Sequence, residues 1–444
     1  MSGWNLRTGA ALAALTLTAT TLATGTASAV VGTFHVDAVN GNDSADGKTP
    51  ATAWKTLTKA SSVSLEPGSK LLLSRGSTWK GQQLQISGKG KAEAPIVVDA
   101  YGTGTARPVI ADDSEACVWL SGEHIEVYNL QVGLTQDGSR CTWAGIKVTG
   151  DNNVIERNYI TGAAAGVYIE QGVQYTAVTA NEFVDNNLMS KNDEEDPNDD
   201  SGAFAILVQG DNSNIGWNEI RGSIADSNDY GMDGAAVEIF LGSDNRIHHN
   251  IAIDNESFAE LGTSRATNPD GTPVDPDGTS GNIFEYNVIT GPQTQGGLVT
   301  RGPQEPGEAP DPNGPVLSTA FRNNTIRLTH PDSQGVVCDA GCTNAHLSMS
   351  QNIVQVVFKT AYGPNVTDSH HNVFFGARQH QMGGSNNKTA DPLFNLTDPN
   401  NPSLRAGSPA IDFGITKFSD NDVTGRVIDG SDGPVDAGAY EFDN

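Results

Sequence analysis

The chain has 444 residues, of which 37% are hydrophobic and 18% are charged, and its formal net charge at pH 7 is −27. A surface this acidic repels phosphate backbones and anionic lipid headgroups, so we expect neither nucleic acid nor a membrane as a partner. No segment approaches the ~20 consecutive apolar residues that a membrane-spanning helix needs.

The first 29 residues have the pattern of an export signal. Arg7 precedes the apolar run AALAALTLTATTLA, and small residues ending in Ala27-Ser28-Ala29 follow. The run is too short and too rich in threonine to span a bilayer as a helix. We therefore predict a signal peptide at 1–29, a mature chain that begins at about Val30, and a secreted, extracellular protein.

One sequence pattern recurs along most of the chain, an asparagine flanked by residues that favour β-strands. Helical periodicity is hard to find, whereas short apolar runs that end in turn residues are common. The recurring asparagines are Asn129, Asn158, Asn181, Asn218, Asn250, Asn287, Asn324, Asn352 and Asn372. Their spacing varies from 20 to 37 residues, which indicates a coil of roughly constant core that carries insertions of different lengths.

This repeat predicts an all-β protein built as a parallel β-helix, in which corner asparagines stack and satisfy the backbone of the turns. The alternative is a β-sandwich whose surface turns happen to contain asparagine. We expect the β-helix to run from about Leu71 to about Phe375. A small N-terminal cap at about 30–70, carrying Trp54 and Leu57, precedes it, and a closing segment at about 390–444 follows. Residues 30–444 are expected to form one domain, and the protein is expected to be a monomer.

The four cysteines are an even number in a chain with an export signal, which suggests two disulfides among three possible connectivities. A zinc site is the rival interpretation, but no CxxC pair or matching histidine spacing supports it. Cys117 and Cys141 lie 24 residues apart, close to one coil. Equivalent positions on neighbouring coils are ~5 Å apart, within the range of a disulfide. We therefore predict the pair Cys117–Cys141, with Cys338 and Cys342 closing a small loop.

Both ends of the mature chain resemble a known group of proteins. The opening FHVDAVNGNDSADGKTPATAWKTLTKA, followed by PGSKLLLSRGSTW, resembles the N-terminal capping unit of secreted bacterial right-handed parallel β-helix proteins of the pectate-lyase-like superfamily. The ending DPLFN...SLRAGSPAIDFG...VDAGAYEF resembles their C-terminal segment. The resemblance implies a right-handed parallel β-helix and a carbohydrate-active protein. It implies no single reaction, because the superfamily includes lyases, glycoside hydrolases, esterases and noncatalytic adhesins.

The segment AVEIF is an apolar strand with a glutamate in its middle. Alternation along the strand turns Val237 and Ile239 inward, and it turns Glu238 and Phe240 outward. The same interpretation of neighbouring strands adds Lys147, Tyr168 and Glu170 to one outer strip, with Arg301 one coil further on. Aromatic rings stack on sugar faces, so we expect Lys147, Tyr168, Phe240 and Arg301 to bind a glycan substrate.

Long insertions flank this strip and carry further acids. We expect the loops at 223–234 and 257–280 to form the walls of a cleft into which Glu238 points. Asp233 would be its partner, because two carboxyl groups with unequal pKa values can cleave a glycoside. The alternate catalytic acids are Glu170, Asp229, Glu256 and Glu260. The competing interpretations are that Glu238 is a solvated outward residue and that Asp233 only caps a turn.

Metal and cofactor signals are weak. The pairs His248-His249 and His370-His371 each precede a corner asparagine, which favours a turn-packing role over metal ligation. The run Asp193 to Asp200 could bind calcium, but it lacks the spacing of an EF-hand, and a solvated acidic loop is the favoured interpretation. We predict no organic cofactor and no metal site, with calcium as the open alternative.

Three functional hypotheses follow. The leading one is a secreted glycoside hydrolase that cleaves an extracellular polysaccharide with Asp233 and Glu238. The second is a polysaccharide lyase that acts on a uronate polymer by β-elimination, for which Lys147, Arg265 and Arg301 would matter more than the acids. The third is a noncatalytic glycan- or cell-wall-binding β-helix.

Overall fold

Three long parallel sheets dominate the molecule. The computed structural model describes residues 31–444, apart from 113–114, 195–198, 269, 306, 379–380, 429–432 and 443–444. Within these residues each sheet joins strands of successive coils, so the chain visits the three sheets in turn. This is a right-handed parallel β-helix, as the asparagine repeat and the resemblance predict.

The first sheet contains, in spatial order, Thr33–Val36, Lys70–Ser74, Ile96–Tyr101, Ile125–Tyr128, Val154–Glu156, Ala177–Thr179, Asn214–Gly216, Arg246–His248, Ile283–Glu285, Thr319–Arg322, Leu347–Ser350 and Ser369–His370. The second sheet contains Leu84–Ile86, Ala116–Leu120, Ala144–Val148, Ala165–Ile169, Phe204–Val208, Ala235–Phe240, Ser257–Gly262, Gly296–Arg301, Gln334–Asp339 and Lys359–Tyr362. The third sheet contains Thr78–Lys80, Val109–Ala111, Gln131–Gly133, Tyr159–Thr161, Glu182–Val184, Glu219–Arg221, Ile251–Ile253, Val288–Gly291, Thr325–Leu328, Ile353–Gln355, Val373–Phe375 and Lys388–Thr389.

The remaining elements of the described chain are short. Antiparallel hairpins join Met189–Lys191 to Ser201–Gly202, Ala225–Ser227 to Gly231–Asp233, and Phe394–Asn395 to Ser403–Leu404. A 3₁₀ turn spans Pro50–Thr52, and one α-helix spans Leu57–Ser61. In the described part of the chain, no helix combines the length and the apolar character that crossing a membrane requires.

The first sheet begins earlier than Leu71, the start that the sequence suggested. The strand Thr33–Val36 pairs in parallel with Lys70–Ser74, so the N-terminal segment already contributes to the β-helix. Trp54 and Leu57 are buried beside it, and the Trp54 ring stacks on that of Phe34 at 4.9 Å. The N-terminal segment therefore closes the end of the core with its own strand and side chains.

A ladder of buried asparagines follows one corner of the β-helix. The Asn250 side chain accepts hydrogen bonds from the backbone and side-chain nitrogens of Asn218, and it donates to the side chain of Asn287. The same pattern continues in both directions along the ladder. Each asparagine thus replaces the strand hydrogen bonds that are lost where the backbone turns.

Two members of the ladder differ from the sequence prediction. The place next to Asn158 is taken by Leu130, whose backbone N–H donates to the Asn158 side chain, so the assignment of Asn129 was wrong by one residue. At the other end the ladder extends to Asn387, which bonds to Asn372 and was missed because its flanks are polar. The register between coils is set by hydrogen bonds across the sheets, and the order of residues along the chain does not show which positions pair.

Residues just before the ladder asparagines adopt the left-handed conformation that the corner requires. His249 is one of them, with φ of 54°, and its ring stacks at 4.2 Å on Trp217 and at 5.2 Å on Tyr286. Its neighbour His248 is within hydrogen-bonding distance of Asn214. The His248-His249 pair therefore packs a corner, as the sequence suggested.

The C-terminal segment lies against the outside of the later coils. The Gln351 side chain donates to Thr416, and its carbonyl accepts from the backbone of Ile415. The Asn323 side chain donates to the backbone of Asp436 and Gly438. These contacts, between residues 64 to 115 positions apart, attach the end of the chain to the β-helix rather than extending it.

Candidate active site

Glu238 projects from the outer face of the second sheet. Its neighbours Val237 and Ile239 are fully buried in the core, as alternation along a strand predicts. The parallel register places Glu238 directly between Leu207 on one neighbouring strand and Glu260 on the other. Two glutamates therefore occupy paired positions on adjacent strands, about 4.8 Å apart across the sheet.

The same row of outward-facing positions continues across the strands nearer the N-terminus, through Tyr168 and Lys147. Phe240 occupies a second outward row, two residues further along its strand, and pairs with Gly262. A β-carbon at Gly262 would lie 2.8 Å from the Phe240 ring, so glycine permits the ring to lie over that strand. Arg301 lies on the strand two coils beyond that of Glu238. The sequence had placed it only one coil further on.

A cleft of about 820 Å³ opens over these strands. Its lining combines acidic, aromatic and amide side chains with a single guanidinium. The lining residues are Trp143, Tyr168, Asp199, Asp200, Ser201, Phe204, Leu207, Gln209, Tyr230, Met232, Asp233, Glu238, Phe240, Glu256, Glu260, Gly262, Arg301 and Asn313. Its size and its mixture of aromatic and polar groups are typical of a small-molecule or oligosaccharide site.

One wall of the cleft is made by two hairpins that are joined to each other. Asp200, at the base of the first hairpin, accepts hydrogen bonds from the Ser227 hydroxyl and the Asp229 backbone. Asp229 in turn accepts from the backbone of Asp199 and Asp200. The second hairpin ends at Asp233, which therefore faces the cleft from a well-braced wall. The sequence predicted that the insertions forming both hairpins flank the cleft, and the structure adds that the hairpins are joined to each other.

The long loop that follows Gly262 was expected to form another wall, but no described residue of this loop beyond Gly262 belongs to the cleft lining. Arg265 donates to the backbone oxygens of Gly314, at 2.5 Å, and of Pro303, at 3.1 Å. Further along the loop, the Val274 carbonyl accepts from the side chain of Gln171, 103 residues earlier in the chain. The loop is thus tied to coils on both sides of Glu238.

Three carboxyl groups in the cleft have raised pKa values. Burial raises the pKa of Asp233 to about 6 and that of Glu256 to about 8, and the nearby charge of Glu260 adds to both shifts. Burial and then Glu260 also hold the pKa of Glu238 well above its ordinary value, against the opposing effect of Arg301. No donor among the described residues hydrogen-bonds to the carboxyl groups of Glu238 or Glu256. At neutral pH the cleft therefore presents a mostly protonated Glu256 and a mostly ionised Asp233, and burial favours the protonated form of Glu238.

Arg301 is already bonded within the cleft. Its guanidinium forms an ion pair with Glu260, and its side chain is 17% exposed. The Glu260 side chain is more exposed, at 38%. Glu260 thus has a positive charge in direct contact, whereas Arg301 acts on its neighbour Glu238 from a longer distance.

Aromatic side chains line the N-terminal end of the cleft. The rings of Trp143 and Tyr168 lie edge to face with centroids 5.6 Å apart. The Tyr168 hydroxyl donates to the Gln209 side chain at 2.8 Å, and burial raises the pKa of Tyr168 to about 12. On the hairpin wall, the Tyr230 side chain is 50% exposed. Trp143, Gln209 and Tyr230 were not predicted as site residues, because their neighbours in sequence carry no strand pattern that fixes their direction.

Some predicted site residues lie outside the cleft lining. Lys147 forms ion pairs with Glu115 at 3.0 Å and with Glu170 at 3.5 Å, and it packs between the rings of Trp119 and Tyr168. Glu170 therefore neutralises Lys147 rather than facing Glu238. Asp229 braces the two hairpins and is likewise absent from the lining.

One group of acids has the spacing of metal ligands. Carboxylate oxygens of Asp199, Asp200 and Asp229 lie within 4.8 Å of one another. Oxygen ligands of this kind suit calcium. Two of the three belong to the predicted run Asp193 to Asp200, whose residues 195–198 lie outside the described part of the chain. The geometry is compatible with a cation, although backbone N–H groups already occupy part of the carboxylate oxygens.

One disulfide joins neighbouring coils, and a second closes a short loop within a coil. Cys117 pairs with Cys141 across a Cα–Cα distance of 5.5 Å, and Cys338 pairs with Cys342 across 5.6 Å. Both pairings agree with the sequence prediction, and the first confirms the one-coil spacing on which the register of the strip was based.

No family model matches the chain. Over 147 residues, 30% of the chain, it is 32% identical to a lacto-N-biosidase of Bifidobacterium longum subsp. longum, and the match covers 9% of that enzyme. A solved rhamnogalacturonan lyase superposes with a TM-score of 0.51 at 13% identity, covering 85% of this chain and 95% of that one. This likeness shows the fold, a right-handed parallel β-helix.

A second solved structure, the GH136 lacto-N-biosidase of Eubacterium ramulus, gives a TM-score of 0.45 at 14% identity and covers 81% of this chain and 67% of that one. The chain spans about a tenth of the length of the curated Bifidobacterium relative. A glycoside hydrolase and a lyase thus both occur among the similar proteins, and the choice of reaction depends on the residues of the cleft itself.

Proposed function

We propose that the protein is a secreted glycoside hydrolase that cleaves an extracellular polysaccharide or oligosaccharide in the cleft over the second sheet. The observation that carries this proposal is the group of unequal carboxyl groups around Glu238. Hydrolysis of a glycoside needs one protonated and one ionised carboxyl group on either side of the bond. Glu238 and Asp233 differ in this way because they have different surroundings.

Glu238 is the proton donor in this mechanism. Burial raises its pKa and so favours the protonated carboxyl group, which can donate to the glycosidic oxygen as the bond to the anomeric carbon breaks. Glu256, with a pKa of about 8, is the alternate donor. Neither group has a hydrogen-bonded partner in the described structure that would compete for the proton.

Asp233 is the second carboxyl group. With a pKa of about 6 it is mostly ionised at pH 7. It either accepts a proton from the attacking water, which inverts the anomeric configuration, or bonds to the anomeric carbon to form an intermediate that water then hydrolyses, which retains it. The anomer of the first product distinguishes these two routes.

Export is part of the proposal. Two disulfides indicate an oxidising compartment, and the pattern of the first 29 residues agrees with passage across a membrane. A surface of high negative charge also keeps a freely diffusing protein soluble.

A calcium-assisted polysaccharide lyase is the second candidate. The observations that favour it are the acidic group Asp199, Asp200 and Asp229 near the cleft and the presence of Arg301 in the lining. A cation or guanidinium would neutralise a uronate carboxylate, and a base would remove the C5 proton. In the structure, however, Arg301 is already paired with Glu260.

Glu238→Gln and Asp233→Asn variants test the leading proposal. Purified protein is incubated with a panel of polysaccharides and oligosaccharides, and new reducing ends and the ultraviolet absorbance of unsaturated uronates are both recorded. A hydrolase gives reducing ends without the absorbance, and each variant should lose turnover by about 10²-fold or more while binding is kept.

The matched control is Glu182→Gln, which changes a glutamate on the third sheet, away from the cleft. It should retain wild-type turnover. Full activity of Glu238→Gln together with Glu256→Gln would reject the assigned acids. Unsaturated products that depend on added calcium would favour the lyase, and binding without any turnover would favour a noncatalytic module.

A further inference from the structure

The cleft contains many hydrogen-bond acceptors and few free donors. Four carboxyl groups line it close to the second sheet: Asp233, Glu238, Glu256 and Glu260. Asp199 and Asp200 add two more on the hairpin wall. Ionised carboxylates such as that of Asp233 accept hydrogen bonds and carry negative charge, so this part of the surface is complementary to donors and repels anions.

The cationic groups at and around the cleft are already engaged. Arg301 is paired with Glu260, and Lys191 is paired with Asp199. Arg265 donates to two backbone oxygens of a neighbouring loop. Lys147 is held between Glu115 and Glu170 and is only 15% exposed. A ligand carboxylate could use one of these groups only by breaking an existing pair and leaving another carboxylate without its cation.

We infer that the cleft accepts a glycan whose sugars carry hydroxyl, amide or amino groups and no carboxylate. The inference rests on the proposed function, because it concerns the same site, and it narrows the substrate class to non-uronate glycans. Sugar hydroxyl groups can donate to Asp233 and Glu260, while Trp143 and Tyr168 offer apolar faces to the ring carbons. A uronate would instead place a third charge beside these carboxylates.

The difference in affinity between neutral and uronate oligosaccharides should be largest at pH values at which the carboxyl groups of the cleft are ionised. A uronate carboxylate within a few ångströms of Asp233 and Glu260 would be repelled in a partly shielded environment, where charges interact more strongly than in water. We expect a difference of about 10-fold or more in affinity between a neutral oligosaccharide and one that differs only by a carboxylate.

The test uses oligosaccharide pairs that differ in one group. Uronate oligosaccharides of several linkages are compared with their carboxyl-reduced counterparts, in which each carboxylate becomes a hydroxymethyl group, together with a panel of neutral oligosaccharides. Binding to the Glu238→Gln full-length chain is measured by calorimetry at pH 7. The substitution prevents turnover, and the glutamine resembles the protonated glutamate that it replaces.

We expect neutral and carboxyl-reduced ligands to bind at least about 10-fold more tightly than uronates, and high salt to reduce the difference because it screens the repulsion. Adding Asp233→Asn to the chain should also reduce the difference, whereas adding Glu182→Gln should leave it unchanged. Equal or tighter binding of a uronate relative to its reduced partner overturns the inference, as does a chain that binds no neutral member of the panel.

Binding and cleavage of the same ligands by the wild-type chain separate this inference from the proposed function. Neutral oligosaccharides that bind the wild-type chain but are never cleaved would contradict the hydrolase proposal and leave the inference intact. Cleavage of a uronate polymer with unsaturated products would contradict the inference.

Discussion

Glu238 and Glu260 are paired residues on neighbouring parallel strands, and only Glu260 is bonded to Arg301. Two identical side chains on adjacent strands therefore have different electrostatic surroundings. The sheet fixes their separation, and Arg301 determines which of them has a compensating charge. Burial, together with the neighbouring charge of Glu260, raises the pKa of Glu238 and so favours the protonated form of the proposed acid.

The pH profile of turnover should respond to both neighbours of Glu238. Glu260→Gln removes a negative charge, so the pKa of Glu238 falls and the alkaline limb of kcat/KM moves to lower pH. Arg301→Gln removes a positive charge, so that limb moves to higher pH. The other charged group that acts on Glu238 is Asp233, which both variants leave in place. Shifts in the same direction for the two variants would contradict the assignment of Glu238 as the acid.

The acidic limb of the profile should reflect Asp233. If Asp233 must be ionised, kcat/KM rises as pH increases through about 6, the pKa of that group. The Glu170→Gln variant, which changes an acid outside the cleft lining, should keep both limbs of the wild-type profile. An acidic limb near pH 4 would indicate that a carboxyl group of ordinary pKa acts instead of Asp233.

Because the carboxyl group of Glu256 is buried, its ionisation should lower the free energy of unfolding as pH rises. Its pKa is raised from 4.5 to about 8 by burial, so the folded state binds the proton more tightly than the unfolded chain does. Its contribution to stability is therefore complete below about pH 4.5 and is lost as pH rises through 8. Glu256→Gln should leave Tm unchanged at pH 4 and raise it by about 1–3 °C at pH 8.5, measured by calorimetry. An equal effect at both pH values would contradict this origin.

The aromatic pair at the end of the cleft should contribute to binding more than to chemistry. Trp143→Ala removes one of two rings that meet edge to face, and the loss of one ring's stacking should raise KM or Kd about 10-fold with little change in kcat. The control is Trp217→Ala, because Trp217 stacks on His249 at a corner remote from the cleft lining. A fall in kcat alone for Trp143→Ala would mean that the ring positions the reacting groups.

The two disulfides should differ in their contribution to stability. Cys117 and Cys141 enclose a 24-residue separation, whereas Cys338 and Cys342 are four residues apart. Restricting the unfolded chain over the longer loop stabilises the folded state by about 3 kcal/mol, compared with about 2 kcal/mol for the short loop. Replacing Cys117 and Cys141 together by alanine should therefore lower Tm more than replacing the other pair, as read by thermal unfolding at equal pH.

The asparagine ladder should be costly to interrupt. Asn250→Ala leaves the backbone nitrogen of Asn218 and the carbonyl of Ile215 without their side-chain partner in a fully buried corner. We expect a loss of about 3 kcal/mol in the free energy of unfolding, measured by denaturant titration. Asn401→Ala, at an exposed position, should change it by less than about 0.5 kcal/mol.

The sequence by itself determined the repeat, and through it the architecture. Apolar alternation and corner asparagines recur because every coil must bury the same inner face and satisfy the same turn, so the β-helix, the outward direction of Glu238 and the Cys117–Cys141 pair were all predictable. These features depend on neighbours within one coil or on the spacing between adjacent coils. Even so, register was read incorrectly at Asn129, where the flanking residues alone did not fix the position.

Only the tertiary structure decided which side chains meet in the cleft. Insertions of different lengths place Tyr230, Trp143 and Asn313 over the second sheet, and no period in the sequence fixes the direction of a loop. The pairing of Arg301 with Glu260, and of Lys147 with Glu170, likewise depends on distances between coils that a chain-order comparison cannot give. The protonation states follow from these contacts and from burial, because desolvation and neighbouring charges act through space and not along the chain.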